Sequence, residues 1–207
     1  MNMKFVASAK IMTAAALVLG LCGCQAFRAS TTDLNVNDPE HMGASYDYSD
    51  MRKLTEEVAN ELIGSEFLIK QQTPPVMVVV GVQNRTSDHN DTKSLTDRIR
   101  TMVLKSGKAQ FINESRRDEL LREQGYQAAN ATKETQVAVS RQMGAKYMLS
   151  GSLVEMESRS PRQARLSRQE IKYYKLTIEV TDLETSLIAW TTEKEFSRKA
   201  SLPLIGW

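Results

Sequence analysis

The chain has 207 residues, 25% of them charged and 41% hydrophobic, with a formal net charge of +2. That length allows one domain of ordinary size plus accessory segments, and the composition excludes a disordered or polytopic chain. The near-zero charge excludes the strongly basic face of a nucleic-acid binder. With only two cysteines, Cys22 and Cys24, the folded part holds neither a disulfide framework nor a Cys/His metal cluster.

Residues 1–23 have the three parts of a secretory signal: Lys4 and Lys10, the apolar run Ile11 to Leu21, then small residues. At about a dozen residues the run is too short to compete with a spanning helix of roughly 20. Its end, Leu21-Cys22-Gly23-Cys24, resembles the lipobox of bacterial lipoproteins. Cys24 is the expected lipidation site, because Cys22 would put Leu21 where a small residue is wanted. Cleavage removes both lysines and no acid, so the mature formal charge falls from +2 to 0. Several acyl chains anchor stably, each buried CH₂ adding about 0.8 kcal/mol. Gln25 stands where an inner-membrane retention signal would have Asp, so the expected location is the outer membrane, facing the periplasm.

The lipidated N-terminus and a flexible tether occupy residues 24–46, which lack apolar periodicity and are broken by Asp38-Pro39 and Gly43. As a coil of roughly 20 residues the tether spans about 25 Å on average, and at full extension roughly 70 Å.

A globular domain is expected over 47–200. Met51, Leu54, Val58 and Leu62 mark a covering helix from Ser49 to Ile63, closed by Gly64. Thr73-Pro74-Pro75 resets the chain into Val76–Thr86, whose β-branched run reads as a strand buried on both sides at the centre of an α/β sheet. It exits through a polar mouth, Gln83, Asn84, Arg85 and Thr86, at the end of the strand where α/β sheets tend to place function. Asp91 or Thr92 caps a second helix carrying Leu95, Ile99, Met102 and Val103, stopped by Gly107.

Ala109 to Ile112 reads as a short strand. Ser115 and Asp118 have the spacing of a capping box, opening a helix that ends at Gly125. Thr132 caps a fourth helix, stopped at Gly144, and Lys146 to Met156 is the next strand. A polar loop from Arg159 to Arg168 follows. Tyr174, Leu176, Ile178 and Val180 then alternate with polar residues as a half-buried antiparallel strand, which Asp182 to Ser186 turns into Leu187 to Phe196. Residues 201–207 form an apolar tail that either packs back on the domain or hooks a partner through Trp207. The fold class is α/β: one mixed sheet of about four to five strands, covered by about four helices.

The buried strand ending in Asn84-Arg85-Thr86, then Phe111-Ile112, then Gly144 to Leu149, then Asp182 to Thr185 with Ile188 and Trp190, resembles in order and spacing the LpoB family. These are outer-membrane lipoproteins that activate bifunctional class A penicillin-binding proteins. The resemblance covers roughly 46–200 plus the lipobox. It implies a fold like the N-terminal domain of TolB, and contact with a small regulatory domain of the synthase that stimulates peptidoglycan polymerisation and cross-linking. Enterobacterial members carry a long Pro-rich tether, and this one is short and not Pro-rich. Arg117 to Gln124 with Gly144-Ala145 and Ser150 to Leu153 also resembles the periplasmic domain of CsgG-like secretion lipoproteins. Those need hairpins of about 9–11 residues per membrane strand, and the short, Arg-rich 157–170 stretch argues against a pore.

No nucleophile–base pair, metal set or phosphate loop is legible, so the expectation is a non-catalytic protein without cofactor, metal or small-molecule substrate. His41 falls in the tether, and Asp88-His89-Asn90-Asp91 reads as a solvated turn. Asn84, Arg85 and Thr86 are expected to fix the mouth of the sheet and are candidate partner contacts. Arg159, Arg162, Arg165 and Arg168 are the others. Five basic residues against two acidic give the 157–172 stretch a net +3, suited to an acidic partner.

Overall fold

The apolar positions recurring at helical spacing close into α1 (Tyr48–Ile63), α3 (Thr92–Lys105), α4 (Glu114–Glu123) and α5 (Lys133–Gln142), with a one-turn α2 (Glu66–Ile69) after the first. The strands are β1 (Val76–Arg85), β2 (Gln110–Phe111), β3 (Tyr147–Arg159), β4 (Ser167–Asp182) and β5 (Ile188–Pro203). The computed structural model describes residues 35, 37–39, 41, 43–125, 130–159 and 167–203. The signal segment, Cys24 and most of the tether lie outside that range, as do Arg162, Arg165 and residues 204–207.

The five strands make one mixed sheet in the order β2-β1-β3-β4-β5. β1 runs parallel to β2 and β3, while β3, β4 and β5 form an antiparallel meander. β1 is buried on both faces as its sequence implies. Met77 and Val79 join the main core with Leu54, Val58 and Leu62 of α1 and Leu95, Ile99 and Val103 of α3. Val78 faces a smaller cluster with Ala145 and Leu183. It is not, however, the centre of the sheet. β4 and β5 extend the far side, so β3 takes the middle place.

Helix ends follow local chemistry. Asp47 caps α1 in a reciprocal box with Asp50, and Asp91 caps α3. Gly107, Gly125 and Gly144 take positive φ just past three helices, the left-handed stop that glycine adopts without Cβ strain. The box expected at Ser115 and Asp118 is displaced: Asn113 caps α4, its side chain accepting from the Ser115 N–H. An Asn two residues upstream offers the same acceptor and admits two more residues, Glu114 and Ser115, to the helix.

The sheet is longer than the alternation suggested. β3 runs on to Arg159 and β4 begins at Ser167, so both ends of the predicted 159–168 loop belong to strands, while 160–166 lie outside the described residues. β5 continues to Pro203, taking three residues from the predicted tail. Ladder hydrogen bonds carry these polar ends although no apolar pattern marks them. At the other boundary Ala44 is 2% exposed and Tyr46 packs on Tyr174, ring centroids 5.7 Å apart. The last residues assigned to the tether are therefore part of the domain.

Candidate functional site

The polar mouth of β1 is a hydrogen-bonded knot. The Asn84 side chain donates to the Asp88 carbonyl at 3.0 Å and accepts from the Thr86 N–H at 3.0 Å and the Thr86 hydroxyl at 2.7 Å. Asn90 Nδ2 donates to Thr86 Oγ1 at 2.9 Å. This Asx-type turn satisfies the backbone where the strand leaves the sheet. Arg85 projects beside it, exposed. The Asp88–Asp91 group is dispersed: Asp91 caps α3 while Asp88 reaches across to β4.

Beneath the mouth lies an ionic layer. Lys172 Nζ contacts Glu155 at 3.0 Å and Asp88 at 3.2 Å, and the Lys172 and Glu155 side chains are 5% and 3% exposed. Ser87 donates to the same carboxylate from its N–H at 3.3 Å and its hydroxyl at 3.1 Å. Burial alone would lower the Lys172 pKa; its hydrogen bonds to Glu155 and Asp88 outweigh that and hold it above the ordinary lysine range.

A second cluster fastens the segment before α1. Arg198 Nη1 donates to the Ser45 carbonyl at 3.1 Å and to Asp47 Oδ2 at 3.3 Å, and Nη2 pairs with Asp50. His41 Nδ1 lies 2.7 Å from Asp47 Oδ2. The Tyr46 N–H donates to the Tyr174 hydroxyl at 3.1 Å, and Tyr174 stacks on Phe196 at 5.2 Å. Burial raises the Asp47 pKa, but the hydrogen bonds from His41 and the Asp50 region, with the charges of His41 and Arg198, lower it further than burial raises it. Among the described residues, His41, Asp47 and Asp50 bring three ligand-type atoms within 4.8 Å of one another. Arg198 already compensates both carboxylates, so the arrangement works as a clasp, and a divalent ion would have to displace the guanidinium.

The two predicted patches share one end of the sheet. Arg85 pairs in register with Val154 of β3, and Arg159 lies five residues further on, about 17 Å along the strand. Arg159 is already engaged, its Nε 3.0 Å from Glu170 and also paired with Glu157. The Arg168 backbone lies in β4 opposite Leu202. Sequence reading missed the Lys172–Glu155–Asp88 layer and the Arg198 clasp. One signal was present: Lys172 has the same parity as buried Tyr174, Leu176 and Ile178, a position where an ammonium demands a carboxylate. Asp47 and Asp50 of the clasp carry no such mark, because their partner is 148 residues away from Asp50 in the chain.

Residues 50–196 match the family described as peptidoglycan-synthase activator LpoB. The fold is similar to the LpoB C-terminal domain from Escherichia coli, at 16% identity and TM-score 0.54, over 72% of this chain and 99% of that one. It is similar also to the LpoB C-terminal domain from Salmonella enterica, at 15% identity and TM-score 0.53, over 71% and 98%. Among curated proteins none matches the sequence.

Proposed function

This chain belongs to the LpoB family of peptidoglycan-synthase activators, and from that premise we propose that it is a lipid-anchored outer-membrane protein that binds a bifunctional class A penicillin-binding protein and stimulates it. The observation that carries the reading is the family match itself, which runs from the first turn of α1 to the middle of β5 and so takes in every helix and β1 to β4 of the sheet. The family is regulatory, and a non-catalytic role suits the way the charged residues of the mouth and clasp are used, in caps and ion pairs. Lipidation at Cys24, periplasm-facing attachment and contact through Asn84, Arg85, Thr86 and the 159–168 arginines belong to the same proposal.

The clasp bears on reach. With residues 43–47 packed on the domain, the tether between Cys24 and Gly43 extends to roughly 65 Å at most. The synthase must therefore present its docking domain within that distance of the outer membrane plus the breadth of the folded domain. The CsgG-like alternative gains no support: β3 and β4 are joined by 160–166, seven residues, where each membrane strand alone takes about 9–11.

The test is a glycan-polymerisation assay with purified class A synthase and the mature lipidated chain. A several-fold rise in rate, together with co-retention of the two proteins on affinity resin, is expected. Neither binding nor stimulation at micromolar concentration would sink the proposal.

A further inference from the structure

β1 outlasts its neighbour on one side. β2 pairs only with Val76 and Met77, the Ile112 N–H donates to the Met77 carbonyl at 2.9 Å, and the chain then turns into α4 at its Asn113 cap. Beyond Met77, β1 keeps β3 along one edge as far as Arg85. Among the described residues no strand continues β2 along the other. A cavity of about 250 Å³ is lined by Val79 to Val82 of β1, the first turns of α3, and Glu114, Arg117 and Gln136. α3 covers one face of the sheet and α5 the other, so a cavity touching both lies past the β1 edge, in the notch that β2 leaves. Arg117 is 8% exposed and short of acceptors. Its Nη1 donates to the Val79 carbonyl at 3.3 Å and its Nε stands 3.5 Å from Asp118. Among the described residues Nη2 has no partner. Lys172 and Arg198, by contrast, each meet two carboxylates. Glu114 cannot serve Arg117, because Arg100 holds it at 2.9 Å and Lys93 at 3.2 Å.

We propose that this notch binds a peptide segment bearing a carboxylate. Arg117 takes the carboxylate in its open donors, and the β1 edge takes the adjoining peptide groups where β2 stops. A buried cation with donors unused calls for an anion, and the surroundings select which. Glu114 and Asp118 stand beside the guanidinium, so a dianionic phosphate is repelled more strongly than a singly charged carboxylate. The volume lies below the roughly 300–1,000 Å³ of small-molecule sites, which suits one or two residues of a peptide. The valines of β1 supply an apolar wall for a small side chain. Gly81 completes the fit: a Cβ there would meet nothing within 4 Å, so the backbone is left open on that side. The inference needs only the notch and Arg117, and is independent of the proposed synthase.

Nuclear magnetic resonance on the isotope-labelled mature chain tests this. N-acetyl-dialanine, which offers a C-terminal carboxylate, and N-acetyl-aspartyl methylamide, which offers a side-chain one, are titrated separately. Saturable shifts of the Gly81 amide and the Arg117 Nε–H are expected with at least one, and the one that binds more tightly identifies the source of the carboxylate. The C-terminal amide of N-acetyl-dialanine should bind at least about tenfold more weakly than its parent acid, since it loses a charge-assisted hydrogen bond. Arg117→Gln should abolish the shifts; if that variant fails to fold, the comparison of acid with amide on the parent chain decides alone. Three results overturn the proposal: no saturable shift with either peptide, equal binding of acid and amide, or binding of acetate or inorganic phosphate as tight as that of the peptides.

Discussion

Lys172 occupies a position where the alternation of β4 sends side chains into the core, and it stays charged there because Glu155 and Asp88 meet it. Removing one member of such a pair leaves the other buried and uncompensated, at a cost of about 3–5 kcal/mol. Lys172→Met is therefore expected to lower unfolding free energy by roughly 3 kcal/mol in a denaturant titration, and Lys172→Met with Glu155→Met to recover most of it. A single variant as stable as the parent would remove the layer from the account. Asp47 allows a cleaner separation of charge from capping, because Asn caps as well as Asp. Its folded pKa is depressed, so its ionic contribution is present above the unfolded value near 4 and is lost as pH falls through the folded one. The stability gap between the parent and Asp47→Asn should hold from neutral pH to about pH 4 and close below it. A gap unchanged to pH 2 would contradict the clasp.

At the scale of elements, β1 and β3 each depend on a glycine for a different reason. The β1–β3 register shifts between Val79 and Gly81, and Gly81 adopts φ +106°. This bulge frees the Val79 carbonyl, which accepts from buried Arg117 of α4 at 3.3 Å. Gly151 of β3 has ordinary φ but no room: an added Cβ would lie 2.3 Å from the Thr177 carbonyl oxygen and 2.8 Å from Ile178 Cδ1. Gly151→Ala must displace sheet backbone, and is expected to destabilise by about 2 kcal/mol or more, read as a lower thermal midpoint. Retention of the parental midpoint would mean that the sheet gives way freely there. These constraints leave little trace in the local sequence. A glycine inside an apolar strand suggests a bulge or close approach, but which of the two depends on the strand beside it.

For the whole molecule, the outcome that matters is a domain whose mouth, ionic layer and facing ends of β3 and β4 lie at one end of the sheet. Arg159 is held by Glu157 and Glu170, so a test of the hairpin's charge should spare it. Arg162, Arg165 and Arg168 changed together to Ser are expected to slow association with an acidic partner at low ionic strength, with the difference shrinking as salt rises. An association rate equal to the parent's in low salt would exclude these three from the contact. Cys24→Ser should leave the domain folded while abolishing palmitate incorporation, and continued labelling would reassign the anchor.

Much of this architecture is legible without coordinates. The helices, the buried β1, the antiparallel β4 and the glycine stops follow from periodicity and backbone sterics, both local properties of the chain. The order of four short motifs was enough to suggest the family. The placement of β3 at the centre, the longer strands, the inclusion of residues 44–46 in the domain and the two ionic clusters could not be read that way. Each depends on groups far apart in sequence, as Lys172 is from Asp88 and Arg198 from Asp50. A buried charge declares that it needs a partner, but only the packed sheet decides which one lies within 3 Å.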